Sequence, residues 1–342
     1  MRTTTVLAAC ATVALLACAS ENGPTDPEAG GALVPTASPE AAAVDTWRER
    51  AHQLGTAIGV GVGVMPNSAG QSVVYTFGGC DVVQGTTHCT VPRIGIYNAV
   101  TGAQTGHEAT EVARWKSNGV GTIGGKLYSS GGFNTNDFTE GPSRRAWSYD
   151  PAAGQVTLIA EMPKGTAEGV TGAFDGKLYV LPGRCNANYP QPGSCVQEPI
   201  RRLYRYNPAT NKWAARSSAP HYHRLGAGGF IGGKFYVVGG FNGSQPVADL
   251  DVYDPATDTW TTRAPIPTAG RAIGTARQAK LYVIAGSNAY VYDPGTNRWS
   301  SIAAPTWDHD GVVRVVINGL AKLLAVGGLH GETPNNTEVY TP

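Results

Sequence analysis

The chain has 342 residues, of which 42% are hydrophobic and 15% charged, and its formal net charge is +1. A core of ordinary size is available, which excludes a disordered chain and a disulfide-held miniprotein, and a charge so near zero leaves no basic footprint for nucleic acid. Forty-five glycines without a Gly-X-Y period belong to tight turns and crowded strands, so an all-β fold is expected.

The first element is a targeting segment: Met1 and Arg2, then an apolar run from Val6 to Ala17. It ends Leu15-Leu16-Ala17-Cys18, which resembles the bacterial lipobox. That resemblance implies a lipoprotein signal peptide over 1–17 and acylation of Cys18; a plain secretory signal cut between Ala17 and Ser20 is the alternative. Residues 18–43 are rich in Pro, Ala, Glu, Thr and Gly and read as a disordered tether. Export to a bacterial cell envelope and attachment to a membrane through the lipid alone are the expectation.

From residue 44 onward the chain repeats itself. Short apolar runs close on Gly78-Gly79, Gly131-Gly132, Pro182-Gly183, Gly239-Gly240, Ala285-Gly286 and Gly327-Gly328, and a tyrosine follows each in a second run: Tyr97, Tyr149, Tyr206, Tyr253, Tyr292 and Tyr340. A period of this length marks a repeat array. The unit from Gly226 to Trp260 reads as a four-stranded meander: an inner strand to Ile231, the turn Gly232-Gly233, a strand over 234–240, a loop, a strand at Leu250 to Tyr253, a turn, and a last strand through Trp260. Each sheet has an apolar face that one unit leaves uncovered, so neighbouring units must stack.

These units are similar to kelch repeats, which pair the Gly-Gly and the tyrosine with a tryptophan. The matches are Tyr206-Asn207-Pro208 with Trp213, Tyr253-Asp254-Pro255 with Trp260, and Tyr292-Asp293-Pro294 with Trp299. The second unit has Val156 in place of tryptophan, and the first is expected to reach Trp115 after an insertion. The resemblance implies a six-bladed kelch β-propeller over 44–342. The chain stops at Tyr340-Thr341-Pro342, short of a fourth strand, while Asp45-Thr46-Trp47 reads like Asp258-Thr259-Trp260. The N-terminal strand is therefore expected to complete the last blade and close the ring. A ring closed within one chain needs no partner to fold, and a monomer is expected.

Four cysteines remain in two local pairs, Cys80 with Cys89 and Cys185 with Cys195, both expected as disulfides in an oxidising compartment. In a meander the first-to-second and third-to-fourth turns share one end, and here they are short: Gly124-Gly125, Asp175-Gly176, Gly232-Gly233. The second-to-third loops at the other end are long: Cys80 to Cys89, Phe133 to Arg144, Arg184 to Ile200, Phe241 to Val247. Recognition is expected at this long-loop end, the mouth. His52, His221, His223 and His309 fall in blade-to-blade links there and His88 and His330 in its loops; His107 maps elsewhere. The candidate ligand-binding set is His221, Tyr222, His223, Arg224, Arg271, Trp307, Asp308, His309, Asp310, Arg184 and Tyr189, with Arg314, which interrupts the sixth inner strand and is expected in the central channel. Aromatic faces, carboxylates and guanidinium groups suit a glycan, a small sugar or an envelope protein.

His221-x-His223 is a weak metal motif, and neither a metal nor a cofactor is expected. Some kelch proteins resemble galactose oxidase, a copper radical enzyme with a tyrosine linked to a cysteine; here local pairing leaves no cysteine for that link. Bacterial sialic acid mutarotases are also exported six-bladed kelch proteins, and that likeness implies an acid, a base and an arginine among Glu168, Asp310, His309, Arg224 and Arg271. The leading expectation is a binding module, the alternative a carbohydrate-active enzyme of that kind.

Overall fold

The computed structural model describes residues 44–50, 59–83, 86–133, 141–184, 201–330, 333–334 and 337–342, and Ala43–Pro342 is one compact unit. The signal segment, the tether with Cys18, His52, Tyr189 and the pair Cys185 and Cys195 lie outside the described residues.

Six four-stranded antiparallel sheets form the blades of a propeller. Blade 1 comprises Gly61–Pro66, Ser72–Phe77, Arg93–Asn98 and Gln104–Glu108; blade 2, Val120–Ile123, Lys126–Ser130, Ala146–Asp150 and Gln155–Ile159; blade 3, Val170–Phe174, Lys177–Leu181, Arg202–Asn207 and Lys212–Ser218. Blade 4 comprises Ala227–Ile231, Lys234–Val238, Leu250–Asp254 and Thr259–Arg263; blade 5, Ala272–Arg277, Lys280–Ala285, Asn288–Asp293 and Arg298–Ile302. Blade 6 takes three strands from the C-terminus, Gly311–Ile317, Leu320–Val326 and Thr337–Thr341, and its outer strand, Thr46–Arg50, from the N-terminus. Trp47 pairs with Tyr340 in that register.

The period-two pattern buries alternate side chains between blades. The six repeat tyrosines are among the largest fully buried side chains and hold the centre of each interface. Glycines on the inner strands let blades approach: a Cβ on Gly63 would fall 2.3 Å from Leu127 Cδ2 of blade 2. The Gly-Gly marks have a second cause. Gly131 has φ +72°, and a Cβ there would sit 2.0 Å from the Thr166 carbonyl in the next link, while Gly132 donates its N–H to that same carbonyl at 2.9 Å. Both close approach and left-handed backbone restrict these positions to glycine.

One clamp recurs across blade interfaces. In blade 4 the Tyr253 hydroxyl donates to Asp258 Oδ1 (2.7 Å), which also accepts the Ser217 N–H of blade 3 (3.0 Å), and the Trp260 indole donates to the Ser217 carbonyl (3.0 Å). Tyr206, Asn211 and Trp213 repeat it against Ala160, and Tyr292, Asn297 and Trp299 against Ala264. At the closure, Tyr340 donates to Asp45 across the two chain ends (2.8 Å), Asp45 accepts the Ala303 N–H (2.8 Å), and Trp47 donates to the Ala303 carbonyl (2.8 Å). The aspartates and asparagines sit at φ between 50° and 56°, where short polar side chains are tolerated. The N-terminal strand thus closes the ring as expected. Its first residues lie at the short-turn end, because Thr46 pairs with Thr341.

Trp115 is a correction. It does not serve as the blade 1 tryptophan: the register position opposite Tyr97 is Gln104, and Trp115 lies beyond the outer strand, bridged to Phe133 in the next blade. Val156 does occupy the tryptophan position, opposite Tyr149. Cys80 and Cys89 form a disulfide across a small hairpin. The short turns match expectation, with Gly124-Gly125, Asp175-Gly176 and Gly232-Gly233 all at positive φ, as type I′ hairpins require.

The closure clamp gives a first prediction. Asp45→Ala removes the acceptor of two hydrogen bonds and places alanine at φ 54°, so it should lower unfolding stability by roughly 2 to 3 kcal/mol, whereas Asp45→Gly, which relieves the backbone, should cost about 1 kcal/mol less. Urea denaturation of the two variants beside wild type measures both.

Candidate functional site: the channel mouth

The inner strands surround a central cavity of about 680 Å³. At its long-loop end a belt of hydrogen bonds runs from blade to blade through the link residues. Lys116 N–H donates to the Gly59 carbonyl (2.7 Å), Glu168 N–H to Lys116 (2.9 Å), Leu225 N–H to Glu168 (2.8 Å) and Ala272 N–H to Leu225 (2.9 Å). Gly59, Lys116, Glu168 and Leu225 all have φ between 51° and 68°. A left-handed leucine is costly for a branched side chain and persists because the belt fixes it.

Between blades 5 and 6 the belt passes from backbone to side chains. The Arg271 guanidinium donates to Asp308 Oδ1 (2.6 Å), the His309 carbonyl (2.6 Å) and Asp310 Oδ1 (3.2 Å), and Asp310 Oδ2 accepts the N–H of Gly59 (2.8 Å) and Gly328 (3.1 Å), which completes the ring. Burial pushes the Asp310 carboxyl above the ordinary aspartate value despite Arg271 and those two N–H donors. On the opposite side, the buried Glu168 carboxylate takes Lys116 Nζ and Arg224 Nη1, each at 3.2 Å.

Two of the link histidines, His223 and His309, are buried. His223 spans the Gly239 carbonyl (3.0 Å) and Asp251 Oδ2 (3.2 Å), and His309 spans the Gly327 carbonyl (3.2 Å) and Glu338 Oε2 (2.8 Å). Each acid also gathers the link backbone: His221 N–H donates to Asp251, and Thr306 and Trp307 N–H to Glu338. Burial raises both carboxyl groups, but the histidine and the other donors outweigh it and hold them below their ordinary values. His221 rests its Nδ1 on Asp251 at 3.0 Å, so the His-x-His pair shares an acid instead of converging on a metal. Among the described residues no group of three His, Cys, Asp or Glu is placed to hold a metal ion. His107 lies on the outer strand of blade 1 and His88 on the disulfide hairpin.

Of the other candidates, Tyr222 lies under the Arg201 guanidinium (5.2 Å), Arg224 over Phe241 (5.4 Å) and Arg184 over Phe133 (5.7 Å). Arg314 lines the channel as expected, and its side chain forms no hydrogen bond or ion pair among the described residues. The inner strands carry a second arginine that the sequence reading passed over: Arg277 is buried, donating to the Ala321 carbonyl and the Tyr282 hydroxyl. Asp251, Glu338 and Lys116 were also missed. Asp251 and Glu338 stand two positions before the repeat tyrosine, where Trp147, Tyr204 and Tyr290 stand in other blades, so an acid there facing a link histidine was a readable signal.

The mouth is notched. Second-to-third connections span 78–92, 131–145, 182–201, 239–249 and 327–336, but in blade 5 the connection is Gly286 and Ser287 alone. A side cavity of about 380 Å³ fills this notch, lined by Arg271, Ile273, Ile284, Ser287, Trp307 and Asp308 among others. Of the sequence candidates, the fold thus brings Arg271, Trp307 and Asp308 together on one cavity and leaves His221, Tyr222 and His223 on the far side of blade 5.

Six four-stranded blades around a channel, joined by tyrosine, tryptophan and Gly-Gly contacts, define a repeat propeller. The kelch motif model matches residues 114–163, 167–218 and 226–267, so these three units are kelch repeats within the six-bladed β-propeller. It is 26% identical over 273 residues to Kelch-like protein terF of Aspergillus terreus, covering 72% of this chain and 58% of the relative, and 29% identical over 119 residues to human Kelch-like protein 23, covering 35% and 19%. The chain therefore spans less than two thirds of these relatives. The solved structure of YjhT superposes with a TM-score of 0.62 at 15% identity over 84% of this chain and 94% of that one, a likeness of fold.

Two predictions follow from the ion pairs. Glu168→Ala leaves two cations without their acid, and because both are partly exposed the expected loss is roughly 2 to 3 kcal/mol of unfolding stability, below that of a fully buried pair. Glu168→Gln, which still accepts hydrogen bonds, should lose about half as much in the same denaturant titration. For Asp251 and Glu338, a depressed folded-state pKa means stability that is complete above the ordinary carboxyl range and is lost as pH falls below it. The melting temperature of Asp251→Asn with Glu338→Gln should start lower than wild type at pH 7 and fall less steeply between pH 5 and 3.

Proposed function

We propose that the chain is an exported, lipid-anchored kelch propeller that acts as a binding module, its long-loop face engaging a glycan or an envelope protein. One observation carries the reading: the two ends of the ring are built differently. Short hairpins and the N-terminal entry at Asp45 occupy one end, while five extended connections, the disulfide hairpin and both cavities open at the other. A tether entering at the plain end would hold that end toward the membrane and turn the mouth outward. The charges at the mouth are committed to one another, Glu168 to Lys116 and Arg224, and Arg271 to Asp308 and Asp310, which suits a rigid recognition surface.

A carbohydrate-active enzyme is the second reading. The observation favouring it is Asp310, a carboxyl raised by burial and placed on the channel cavity beside Arg271, which is the condition of a general acid.

Purified protein screened against immobilised glycans, free sugars and envelope fractions should show saturable binding without turnover. Proton exchange spectroscopy on free reducing sugars separates the readings, since accelerated anomer interconversion that Asp310→Asn abolishes would establish the enzyme. Radiolabelled palmitate should enter the wild-type chain in its bacterial host and be absent from Cys18→Ala.

A further inference from the structure

We infer that the short-turn end of the propeller is a bilayer-contact surface, which lays Phe174, Val316 and Leu320 against the phospholipid to which the chain is anchored. This rests on the lipid-anchored half of the reading above and adds which side chains meet the membrane.

The first argument is where the exposed apolar groups lie. Among the described residues five large apolar side chains are exposed: Val44, Leu158, Phe174, Val316 and Leu320. Leu158 stands on the outer strand of blade 2, on the flank of the ring. The other four belong to the short-turn end. Phe174 closes the first strand of blade 3 before the turn Asp175-Gly176, Val316 and Leu320 flank the turn Asn318-Gly319 of blade 6, and Val44 precedes Asp45 at the entry. Single exposed apolar residues are ordinary on a protein surface, but their collection on one end, with none at the mouth among the described residues, gives the ring an apolar pole.

The second argument is charge. The first-to-second turns encircle the channel at this end, at 67–71, 124–125, 175–176, 232–233, 278–279 and 318–319, and among them Asp175 is the one charged residue. Behind the turns Lys126, Lys234 and Lys280 open second strands, and each pairs with a third-strand aspartate: Asp150, Asp254 and Asp293. An apolar, nearly uncharged centre with neutralised ion pairs farther out suits the interfacial layer of a bilayer, entered by apolar side chains and indifferent to the charge of the lipid.

The third argument is preorganisation. Phe174 stacks on Phe230 at 5.1 Å, and Phe230 on the fully buried Phe235 at 5.0 Å, so the exposed ring is the end of a column rooted in the core. The buried Arg277 guanidinium donates to the Ala321 carbonyl from Nε (3.1 Å) and Nη2 (2.9 Å), which pins the hairpin that carries Leu320. On the same hairpin the Val316 N–H donates to the Ser72 hydroxyl of blade 1 (2.9 Å). Groups already fixed lose little freedom on contact.

The fourth argument names the occupant. Residues 19–44 separate Cys18 from Asp45, and an unstructured chain of that length has a mean reach of about 25 to 30 Å. Asp45 enters at this same end, because Thr46 pairs with Thr341. A lipid on Cys18 therefore keeps this face beside the bilayer at an effective concentration on the order of millimolar, where a few apolar side chains suffice. A diffusing protein partner gains no such help.

The test is photocrosslinking of the full acylated chain in vesicles of phosphatidylethanolamine with a minority of phosphatidylglycerol. A benzophenone side chain replaces Phe174 or Leu320, and in control chains Leu158 on the flank or Ser287 at the mouth. Phospholipid adducts read by mass spectrometry should be at least threefold more abundant from positions 174 and 320 than from 158 and 287, and should persist in high salt. With the probe at 320, Phe174→Ser should reduce the adduct at least threefold while leaving the melting temperature within a few degrees, and Leu158→Ser should leave the adduct unchanged. Equal adducts at all four positions on vesicle-bound, acylated protein overturn the contact surface and leave the anchor standing. Adducts strongest at 287 overturn the surface and the outward-facing mouth together, and crosslinks from 174 and 320 to a second copy of the chain in place of lipid overturn it in favour of self-association. If palmitate does not enter the chain, the anchored reading fails by itself. The unacylated chain mixed with the same vesicles then decides the surface: preferential adducts at 174 and 320 support it, and their absence overturns it.

Discussion

The structure depends on the hydrogen bond by which Tyr340, at the C-terminal end, donates to Asp45, at the other end of the propeller chain. A single blade has an apolar face it cannot bury, and a ring of blades with an open joint has two. The Asp45 carboxylate resolves this by accepting the tyrosine hydroxyl of its own blade and the Ala303 N–H of the blade before, while Trp47 reaches the Ala303 carbonyl. Each such bond is worth about 1 kcal/mol net, and the Trp47 ring at 5.1 Å from Tyr340 adds a comparable amount. The joint is therefore as strong as the covalently continuous ones, because it is chemically the same clamp.

The clamp is not uniform around the ring. Five residues past the repeat tyrosine, blades 3, 4 and 5 carry Asn211, Asp258 and Asn297, but blades 1 and 2 carry Gly102 and Gly154, and there the tryptophan is replaced by Gln104 and Val156. Loss of the acceptor and loss of the indole go together because both reach for the same peptide group of the preceding blade. The two affected interfaces are those on either side of blade 1. They rely on other contacts: Val316 N–H to the Ser72 hydroxyl, Gly59 N–H to Asp310, and the Gly79 N–H to the Arg114 carbonyl. Blade 1 also carries a disulfide hairpin, Cys80 to Cys89, so covalent stiffening is present in a blade whose clamps are missing.

The ring was legible in the sequence because its cause is periodic: a tyrosine, a tryptophan and a glycine pair recur at matching places, and the terminal Asp45-Thr46-Trp47 could be recognised as a displaced copy. The mouth was legible only as an address. His223 and His309 read as ligand-facing because links face the mouth, yet the direction of a side chain there is set by backbone that turns through positive φ at Glu168 and Leu225, and no period reports it. The acids that capture those histidines lie on third strands, 28 and 29 residues away, and their places are taken by glycine, tryptophan and tyrosine in the other blades. Trp115 differs for a related reason: it is reached only past an insertion, and the position that matters is the one opposite Tyr97, which is Gln104.

The shortened connection of blade 5 changes the rim of the mouth. The inner strands line the channel, where the exposed Arg314 side chain makes no hydrogen bond or ion pair among the described residues. Beside the short connection lies a lateral cavity whose wall includes Arg271, Ser287 and Asp308, with the Arg271 guanidinium held by Asp308, the His309 carbonyl and Asp310. The two cavities share Arg271 and Asp308 in their walls. Arg271 both completes the belt that holds blades 5 and 6 at the mouth and braces one oxygen of Asp308, so the contact that stabilises the ring also fixes the wall between the two cavities.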